Sequence, residues 1–194
     1  FSERVQVTGQ KIRDAHLVAR LERLQGALPS ALYDELSFFE ITTILAFQVF
    51  AEHSTQVNVV EVGLGGRWDA TNILSPNVSV ITSLGHDHEN FLGAGLVAIA
   101  GEKAGIMRRG KPVIIGQQFA DHGEEAEARR VLAEKCAGCG AIPAWLGSEY
   151  RVNTAAVLLS SDSREYALPQ RLAGAPDYLR RNFGAALLTV ARML

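Results

Sequence analysis

Polar and titratable side chains cluster after two β-branched segments of the sequence, where the strands of a sheet would end. Glu61 lies within the first segment, and His86, Asp87 and His88 follow the second. Ligands of open α/β sheets bind outside the carboxyl ends of the strands. Carboxylate and imidazole groups together bind divalent metal ions. The sequence therefore predicts a divalent-metal site near these two strand ends.

Glu61 is the first candidate ligand, because a charge inside a buried β-branched run is costly unless it is paired or binds a metal. The alternative is a buried salt bridge between Glu61 and Arg67. His88 also has an alternative role, as a loop histidine whose hydrogen bonds are structural. Three titratable groups in succession, at 86–88, favour the functional interpretation.

Lys103 lies on the apolar face of a predicted helix, which is an unexpected place for an ammonium group. Leu96, Ala100, Lys103 and Met107 are spaced by four, three and four residues, so they share one stripe of that helix. One interpretation is a lysine that buries its stem and extends its charge to water. The other is a lysine that points into the site and has either an anionic neighbour or an uncharged amine.

The glycine-rich stretch 63–66 matches neither common phosphate-binding motif. No Lys-Ser or Lys-Thr pair follows it at the spacing of a Walker A loop. A dinucleotide-binding fingerprint needs Gly or Ala at position 68, where Trp68 stands. Two interpretations stay open: a tight structural turn, or a backbone that approaches a ligand.

Alternating strand and helix patterns place these residues in an α/β fold. Strands are predicted at 56–62, 77–83 and 111–116, and helices at 14–28, 37–52, 94–109 and from 121 onward. This order predicts a doubly wound, mostly parallel sheet flanked by helices. A small antiparallel sheet is expected at its edge, at 145–168, followed by an amphipathic helix at 177–194.

Composition narrows the class of protein. Apolar residues make up 47% of the 194 and charged residues 21%, as in an ordinary soluble domain. A net charge of −2 favours neither nucleic acid nor a membrane as partner, and the sequence shows no membrane span or secretory signal. A cytoplasmic protein is expected. Cys136 and Cys139 end a helical run among glycines, so they are predicted to be structural and to form neither a zinc nor a redox site.

Four motifs resemble the folylpolyglutamate synthase/dihydrofolate synthase family of the Mur ligase superfamily. They are F-F-E-x-x-T at 38–43, E-V-G-L-G-G-R-W-D-A-T-N at 61–72, D-H-E-N-F-L-G at 87–93 and E-K-A-G-I at 102–106. The second and fourth motifs, in this order and spacing, are highly specific. The opening F-x-E-R and the last helix extend the resemblance over essentially the whole chain, although the residues before Asn182 depart from the family's pattern.

The resemblance implies an ATP-dependent amide ligase. ATP would phosphorylate a carboxylate of dihydropteroate or of a folate, and the amine of L-glutamate would attack the acyl phosphate. The resemblance implies Mg²⁺ at Glu61 and His88 and a carbamylated lysine at Lys103, with these three as the catalytic residues. Ser37 and Trp68 match positions that contact the pterin substrate, although Ser37 has a competing role as a helix cap.

The resemblance also has consequences for domain organisation. Residues 1–194 would form part of a Mur-ligase-type central ATPase domain, with the antiparallel region 145–168 inside it. The family's P-loop segment would precede this part and its C-terminal domain would follow it, so the fragment alone is expected to be inactive. A monomer without nucleic-acid or membrane partners is expected.

Three other functions stay open. A Mur-type ligase of cell-wall synthesis would share ATP, Mg²⁺ and the lysine, but the form E-V-G-L-G-G-R favours the folate branch. A metal-dependent hydrolase would use His86, Asp87 and His88 with a metal-activated water. A non-catalytic nucleotide-binding module would show no Mg²⁺-dependent chemistry.

Overall fold

Two units make up the chain, the first ending at Gly63 and the second running from Leu64 to Leu194. The computed structural model describes residues 2–117, 119–161 and 163–194. Each unit contains an apolar core of its own. In the described residues, no helix is both long and apolar enough to cross a membrane.

The first unit is a short hairpin followed by three helices. Its elements are β1 (Gln6–Val7), β2 (Gln10–Lys11), α1 (Asp14–Ala27), α2 (Ser30–Glu35) and α3 (Phe38–Glu52). Leu17 and Leu24 of α1 pack with Leu45 and Val49 of α3, and Val5 completes this core. Burial of one side chain of this size contributes roughly 1.5–3 kcal/mol, so packing of α1 on α3 stabilises the unit.

A capping box begins α3, as the sequence predicts. The amide of Glu40 donates to Ser37 Oγ at 3.2 Å, and the amide of Ser37 donates to Glu40 Oε2 at 2.7 Å. These bonds satisfy amides that have no partner within the helix. The hydrogen bonds from Ser37 also lower the pKa of the Glu40 carboxyl. At α1, by contrast, Asp14 is the first helical residue, and Arg13 occupies the cap position without a side-chain bond.

The run 56–62, predicted as a buried central strand, pairs with no other described segment. Val57 is 60% exposed and Val59 is 90% exposed, and Glu61 is exposed as well. A strand requires a neighbour for its backbone hydrogen bonds, and β-branched composition alone does not supply one. The predictions of a strand and of a buried carboxylate at this place are therefore wrong.

Three parallel strands form the main sheet of the second unit. In sheet order they are β3 (Ser79–Ile81), β4 (Pro112–Ile115) and β5 (Ile142–Trp145). Helices α4 (Glu89–Leu92) and α5 (Gly95–Lys103) connect β3 to β4, and α6 (Gly123–Cys139) connects β4 to β5. The strands predicted at 77–83 and 111–116 are therefore present, with the parallel pairing that the alternation of elements indicates.

A small antiparallel sheet and two helices complete the second unit. They are β6 (Tyr150–Val152), β7 (Ala156–Leu159), β8 (Arg164–Ala167), α7 (Gln170–Ala173) and α8 (Asp177–Met193). The antiparallel sheet predicted at 145–168 is therefore present, except that Trp145 ends the parallel strand β5. Tyr150 anchors this sheet to β4, because its buried hydroxyl donates to Ile115 O at 3.1 Å.

Both faces of the parallel sheet are covered. Val113 of β4 packs with Ile99 of α5 and Leu132 of α6. The next residue, Ile114, points to the opposite face and packs in a second core with Leu188 of α8. The predicted α/β class, a mostly parallel sheet flanked by helices, is confirmed.

The helix predicted at 94–109 is shorter in the structure. The α-helix α5 ends at Lys103, and Ala104–Ile106 form a 3-10 helix. In this 3-10 turn Gly105 meets the backbone of Arg67, which lies far away in the sequence. The helix thus changes form at a tertiary contact that local residue spacing does not report.

Candidate active site

The glycine-rich loop of the second unit packs against two other sequence motifs. Gly65 has a φ of 65°, which favours glycine, and a Cβ there would lie 2.7 Å from Leu92 Cδ2. A Cβ at Gly66 would lie 3.1 Å from Glu102 O. The loop therefore touches both α4 and the end of α5, and it has no room for a side chain at either glycine.

Of the two interpretations of this loop, the structure supports the tight structural turn. Gly105 makes the reciprocal contact, because a Cβ there would lie 2.5 Å from Arg67 Cα. Glycines on both sides allow the two backbones to approach closely. The two most specific motifs of the sequence are thus the two sides of one contact.

Hydrogen bonds from Arg67 hold this contact. Its amide donates to Glu102 O at 3.0 Å, and its Nη2 donates to Gly101 O at 3.1 Å. Its Nη1 lies 3.6 Å from Glu102 Oε1. Arg67 therefore pairs with Glu102, and Glu61 is exposed, so the buried Glu61–Arg67 salt bridge considered from the sequence is wrong.

Arg108 is a second link between the two motifs, and no sequence pattern predicts its role. Its Nη2 donates to Asn72 O and Asn72 Oδ1, both at 2.7 Å, and to Leu74 O at 3.1 Å. Its Nη1 donates to Gly105 O at 3.1 Å. An arginine two residues after the E-K-A-G-I motif is visible in the sequence, but its carbonyl partners are visible only in three dimensions.

Lys103, the last residue of α5, lies at the contact between the two motifs. Leu96, Ala100 and Met107 of the predicted stripe are buried, at 6%, 0% and 6% exposure, and Lys103 is partly buried. The stripe inferred from spacing therefore faces the core. Within the part of the chain that the structure describes, no group forms a hydrogen bond or ion pair with Lys103 Nζ.

His88 lies in the turn between β3 and α4, with a left-handed φ of 56°. Its ring is half exposed, and Nε2 lies 3.5 Å from Asp87 Oδ2. A positive φ is uncommon for a residue with a side chain and occurs more often at functional sites. Because α4 begins directly after His88 and packs on Gly65, this turn is joined to the contact that carries Lys103.

His86 is held by two carboxylates. Its Nδ1 lies 2.8 Å from Glu89 Oε1, and its Nε2 lies 3.4 Å from Glu124 Oε2. Glu89 also accepts the amide of Gly95 at 3.1 Å, and Glu124 accepts the amide of Leu96 at 2.6 Å. The hydrogen bond with Glu89 raises the pKa of His86. His86 therefore fastens the turn to the first residues of α5 and α6.

This arrangement does not favour a hydrolase built on His86, Asp87 and His88. Among residues 2–117, 119–161 and 163–194, no three His, Cys, Asp or Glu side chains are placed together to hold a metal ion. His86 is engaged by carboxylates of α4 and α6, while the ring of His88 lies 3.5 Å from Asp87 Oδ2. The three neighbours in sequence thus have different surroundings.

The other predicted site residues are Ser37, Glu61 and Trp68. Ser37 Oγ bonds with Glu40 as the cap of α3, so its competing structural role is present. Glu61 lies in the first unit and is exposed. Trp68 lies in the second unit and is 88% exposed, so it contributes little to the core and presents its ring to solvent.

Cys136 and Cys139 have structural surroundings, as predicted. Cys136 is buried, and its Sγ lies 3.5 Å from Met107 Sδ. Burial raises the pKa of the Cys136 thiol to about 11. A buried, protonated thiol is a poor nucleophile and a poor metal ligand.

The chain is similar in sequence to curated folylpolyglutamate synthases and dihydrofolate synthase/folylpolyglutamate synthases. No protein-family model matches the chain. The chain is 34% identical over 203 residues to the folylpolyglutamate synthase of Lacticaseibacillus casei. That alignment covers 97% of this chain and 45% of the enzyme. It is 44% identical over 118 residues to the dihydrofolate synthase/folylpolyglutamate synthase of Bacillus subtilis. That alignment covers 59% of this chain and 27% of the enzyme.

Solved structures agree with these relatives. A complex of folylpolyglutamate synthase with AMPPCP and folate matches with a TM-score of 0.83 and 32% identity, over 99% of this chain and 48% of that one. A bifunctional folylpolyglutamate synthase/dihydrofolate synthase with Mn, AMPPNP and L-glutamate bound matches with a TM-score of 0.79 and 28% identity. This match covers 98% of the present chain and 43% of the solved one. The chain spans less than half the length of these relatives.

Proposed function

Because the chain is homologous to a segment of the folylpolyglutamate synthase/dihydrofolate synthases, we propose that it is part of an ATP-dependent ligase that adds L-glutamate to dihydropteroate or to a folate. The observation that carries this proposal is the close contact between the loop at Arg67 and the turn at Gly105. It unites the two most specific motifs of the sequence. The relatives bound to AMPPCP with folate, and to AMPPNP with L-glutamate, match nearly the whole chain.

The proposed reaction has two steps. The terminal phosphoryl group of ATP is transferred to a carboxylate oxygen of the acceptor, which gives an acyl phosphate and ADP. The amine of L-glutamate then attacks the acyl carbon and loses a proton, and inorganic phosphate leaves with the electrons of the broken C–O bond. An amide remains, so the reaction is an ADP-forming C–N ligation.

A divalent ion, Mg²⁺, is part of the proposal. Glu61 offers a carboxylate and His88 an imidazole, and both side chains are accessible to solvent. These donor types suit a divalent ion. When bound, the ion would neutralise charge on the transferring phosphoryl group.

Lys103 is proposed to carry a carbamate. In the described parts of the chain, its amine has no hydrogen-bond or ion-pair partner. No carboxylate of these residues therefore competes with CO₂ for the amine. The uncharged amine adds to CO₂ and loses a proton. The product is an anion with two oxygens, which can orient a metal ligand or bind the ion directly.

Trp68 carries the proposal for the pterin substrate. Its exposed ring provides an apolar face on which a flat heterocycle can stack. Ser37, the other candidate, already bonds with Glu40 through its hydroxyl. We therefore assign pterin contact mainly to Trp68.

The domain organisation, oligomeric state and cellular location of the enzyme are part of the proposal. Residues 1–194 would form part of the central ATPase domain, and the P-loop and C-terminal domain would belong to the part of the relatives' length that this chain does not span. A monomeric, cytoplasmic enzyme without nucleic-acid or membrane partners is consistent with the net charge of −2.

The test measures ADP release by the full-length protein in the presence of ATP and Mg²⁺. L-glutamate and the pterin acceptor are each left out in turn. Release that requires both L-glutamate and either dihydropteroate or a reduced folate is the expected result. Release with a muramoyl-peptide acceptor in place of the pterin would identify a cell-wall ligase instead. If no acceptor supports Mg²⁺-dependent turnover, the protein is a non-catalytic nucleotide-binding module.

A further inference from the structure

A cleft of about 400 Å³ opens beside the first half of α6, and its lining residues lie outside the four sequence motifs. Trp145, the last residue of β5, forms one side of it. Arg129, Arg130 and Asp121 are its charged lining residues. Clefts of this volume, at the carboxyl end of a parallel strand, are common places for ligands.

Arg129 is positioned on an aromatic surface in this cleft. Its guanidinium carbon lies 5.4 Å from the centroid of the Trp145 ring. Trp145 in turn packs edge to face with Phe119, with ring centroids 6.1 Å apart and an interplanar angle of 71°. A guanidinium over an aromatic ring keeps N–H groups free at its edge, and these match the paired oxygens of a carboxylate or a phosphate.

In the described residues, Arg129 forms no ion pair with a carboxylate. Within the described ranges of the chain, no Asp or Glu oxygen lies within 4.0 Å of its guanidinium nitrogens. Its neighbour Arg130, by contrast, pairs with Glu134 at 2.9 Å. An arginine that is already held on a ring loses less side-chain freedom when it binds a ligand than a mobile surface arginine does.

We propose that this cleft binds a small organic anion through a carboxylate or phosphate group, with Arg129 as the main anchor. Three alanines offer apolar surface for the carbon skeleton of the ligand: Ala120, Ala126 and Ala133. The carboxylate of Asp121 is able to accept a hydrogen bond, so a ligand that also carries a hydroxyl or ammonium group fits the cleft well. The cleft is larger than an inorganic oxyanion, which is why an organic anion is proposed.

The test uses the full-length protein labelled with 5-fluorotryptophan. The fluorine resonance of Trp145 is assigned by its loss in Trp145→Phe. Succinate and glycerol 3-phosphate are titrated separately, so that a carboxylate and a phosphate are compared. A saturable shift of the Trp145 resonance is expected with at least one of them, with half-saturation at or below about 1 mM.

Two matched variants separate a specific site from a general charge effect. Arg129→Gln should weaken binding by about tenfold or more, and Arg129→Lys should weaken it less, because the charge remains but the bidentate geometry is lost. Arg192→Gln removes an equal charge from an exposed position of α8, and it should leave the affinity for the anion unchanged. Circular dichroism confirms that each variant is folded.

Three results would overturn the proposal. One is the absence of any Trp145 shift with both anions at 20-fold the expected half-saturation, about 20 mM. Another is a shift that grows linearly without saturation. The third is equal weakening in Arg129→Gln and Arg192→Gln. Because ADP release is not measured in this experiment, its outcome is independent of the proposed ligase activity.

Discussion

At the scale of single residues, the chemical state of the Lys103 amine decides how the proposed metal site is built. An ammonium would repel Mg²⁺, whereas a carbamate would attract it. Full-length Lys103→Ala is expected to be nearly inactive, and millimolar acetate or formate should restore part of the activity by occupying the place of the carbamate. ADP release measures both effects. Wild-type activity of Lys103→Arg would show that a cation is sufficient, which contradicts the carbamate.

Glu61 and His88 belong to the same scale. Glu61→Gln keeps the shape of the side chain but removes the charge that a hard cation prefers, so the full-length enzyme should lose at least ~100-fold in rate. His88→Ala should raise the Mg²⁺ concentration needed for half-maximal rate and have a smaller effect on the folate KM. Initial rates over a Mg²⁺ series give both quantities. A near-normal rate of Glu61→Gln at saturating Mg²⁺ would exclude Glu61 from the metal site.

Burial of Cys136 has a direct chemical consequence. Because its pKa is raised to about 11 and its side chain is buried, little reactive thiolate is present at pH 8. In the folded protein, iodoacetamide should therefore modify the partly exposed Cys139 first and Cys136 only after unfolding. Peptide mass spectrometry follows the two sites separately. Equal rates in the native protein would contradict the buried position of Cys136.

At the scale of elements, the contact between the glycine-rich loop and the turn after α5 sets the local geometry. Gly105→Ala would place a Cβ 2.5 Å from Arg67 Cα, a backbone atom that cannot rotate away. We expect the substitution to lower the free energy of unfolding by about 1–3 kcal/mol, as for other overpacked positions. Urea denaturation monitored by circular dichroism measures this change.

Gly101→Ala is the matched control for that substitution. Gly101 lies inside α5, and a Cβ there would meet nothing within 4 Å. Alanine at this position should raise the free energy of unfolding by about 0.5–1 kcal/mol, because it favours the helix. If Gly105→Ala and Gly101→Ala had the same effect, the close contact at Gly105 would not be a feature of the folded protein.

At the scale of the whole molecule, the chain spans less than half of its relatives, and its sequence contains no G-x-x-x-x-G-K-S/T loop. It therefore lacks the backbone amides and the lysine with which such a loop holds the phosphates of ATP. Isothermal titration calorimetry of residues 1–194 with ATP should show no binding in the micromolar range. The full-length protein is the positive control. Micromolar affinity of residues 1–194 alone would show that these residues bind nucleotide without a P-loop.

The sequence by itself determined the local elements and the motifs that they carry. The Ser37–Glu40 capping box, the strand runs 77–83 and 111–116 and the inward stripe of Lys103 all follow from residues close together in the chain. Caps and periodic patterns depend on such neighbours, so they could be predicted. The family resemblance likewise rested on short motifs that are read directly.

Only the tertiary structure decided which distant residues meet. The run 56–62 has strand composition but no pairing partner, and α5 ends where Gly105 reaches Arg67. The carbonyl partners of Arg108 and the ring under Arg129 were equally invisible in the sequence. Hydrogen-bond pairing and close backbone contact are properties of two segments together, and the spacing of residues within one segment does not specify its partner.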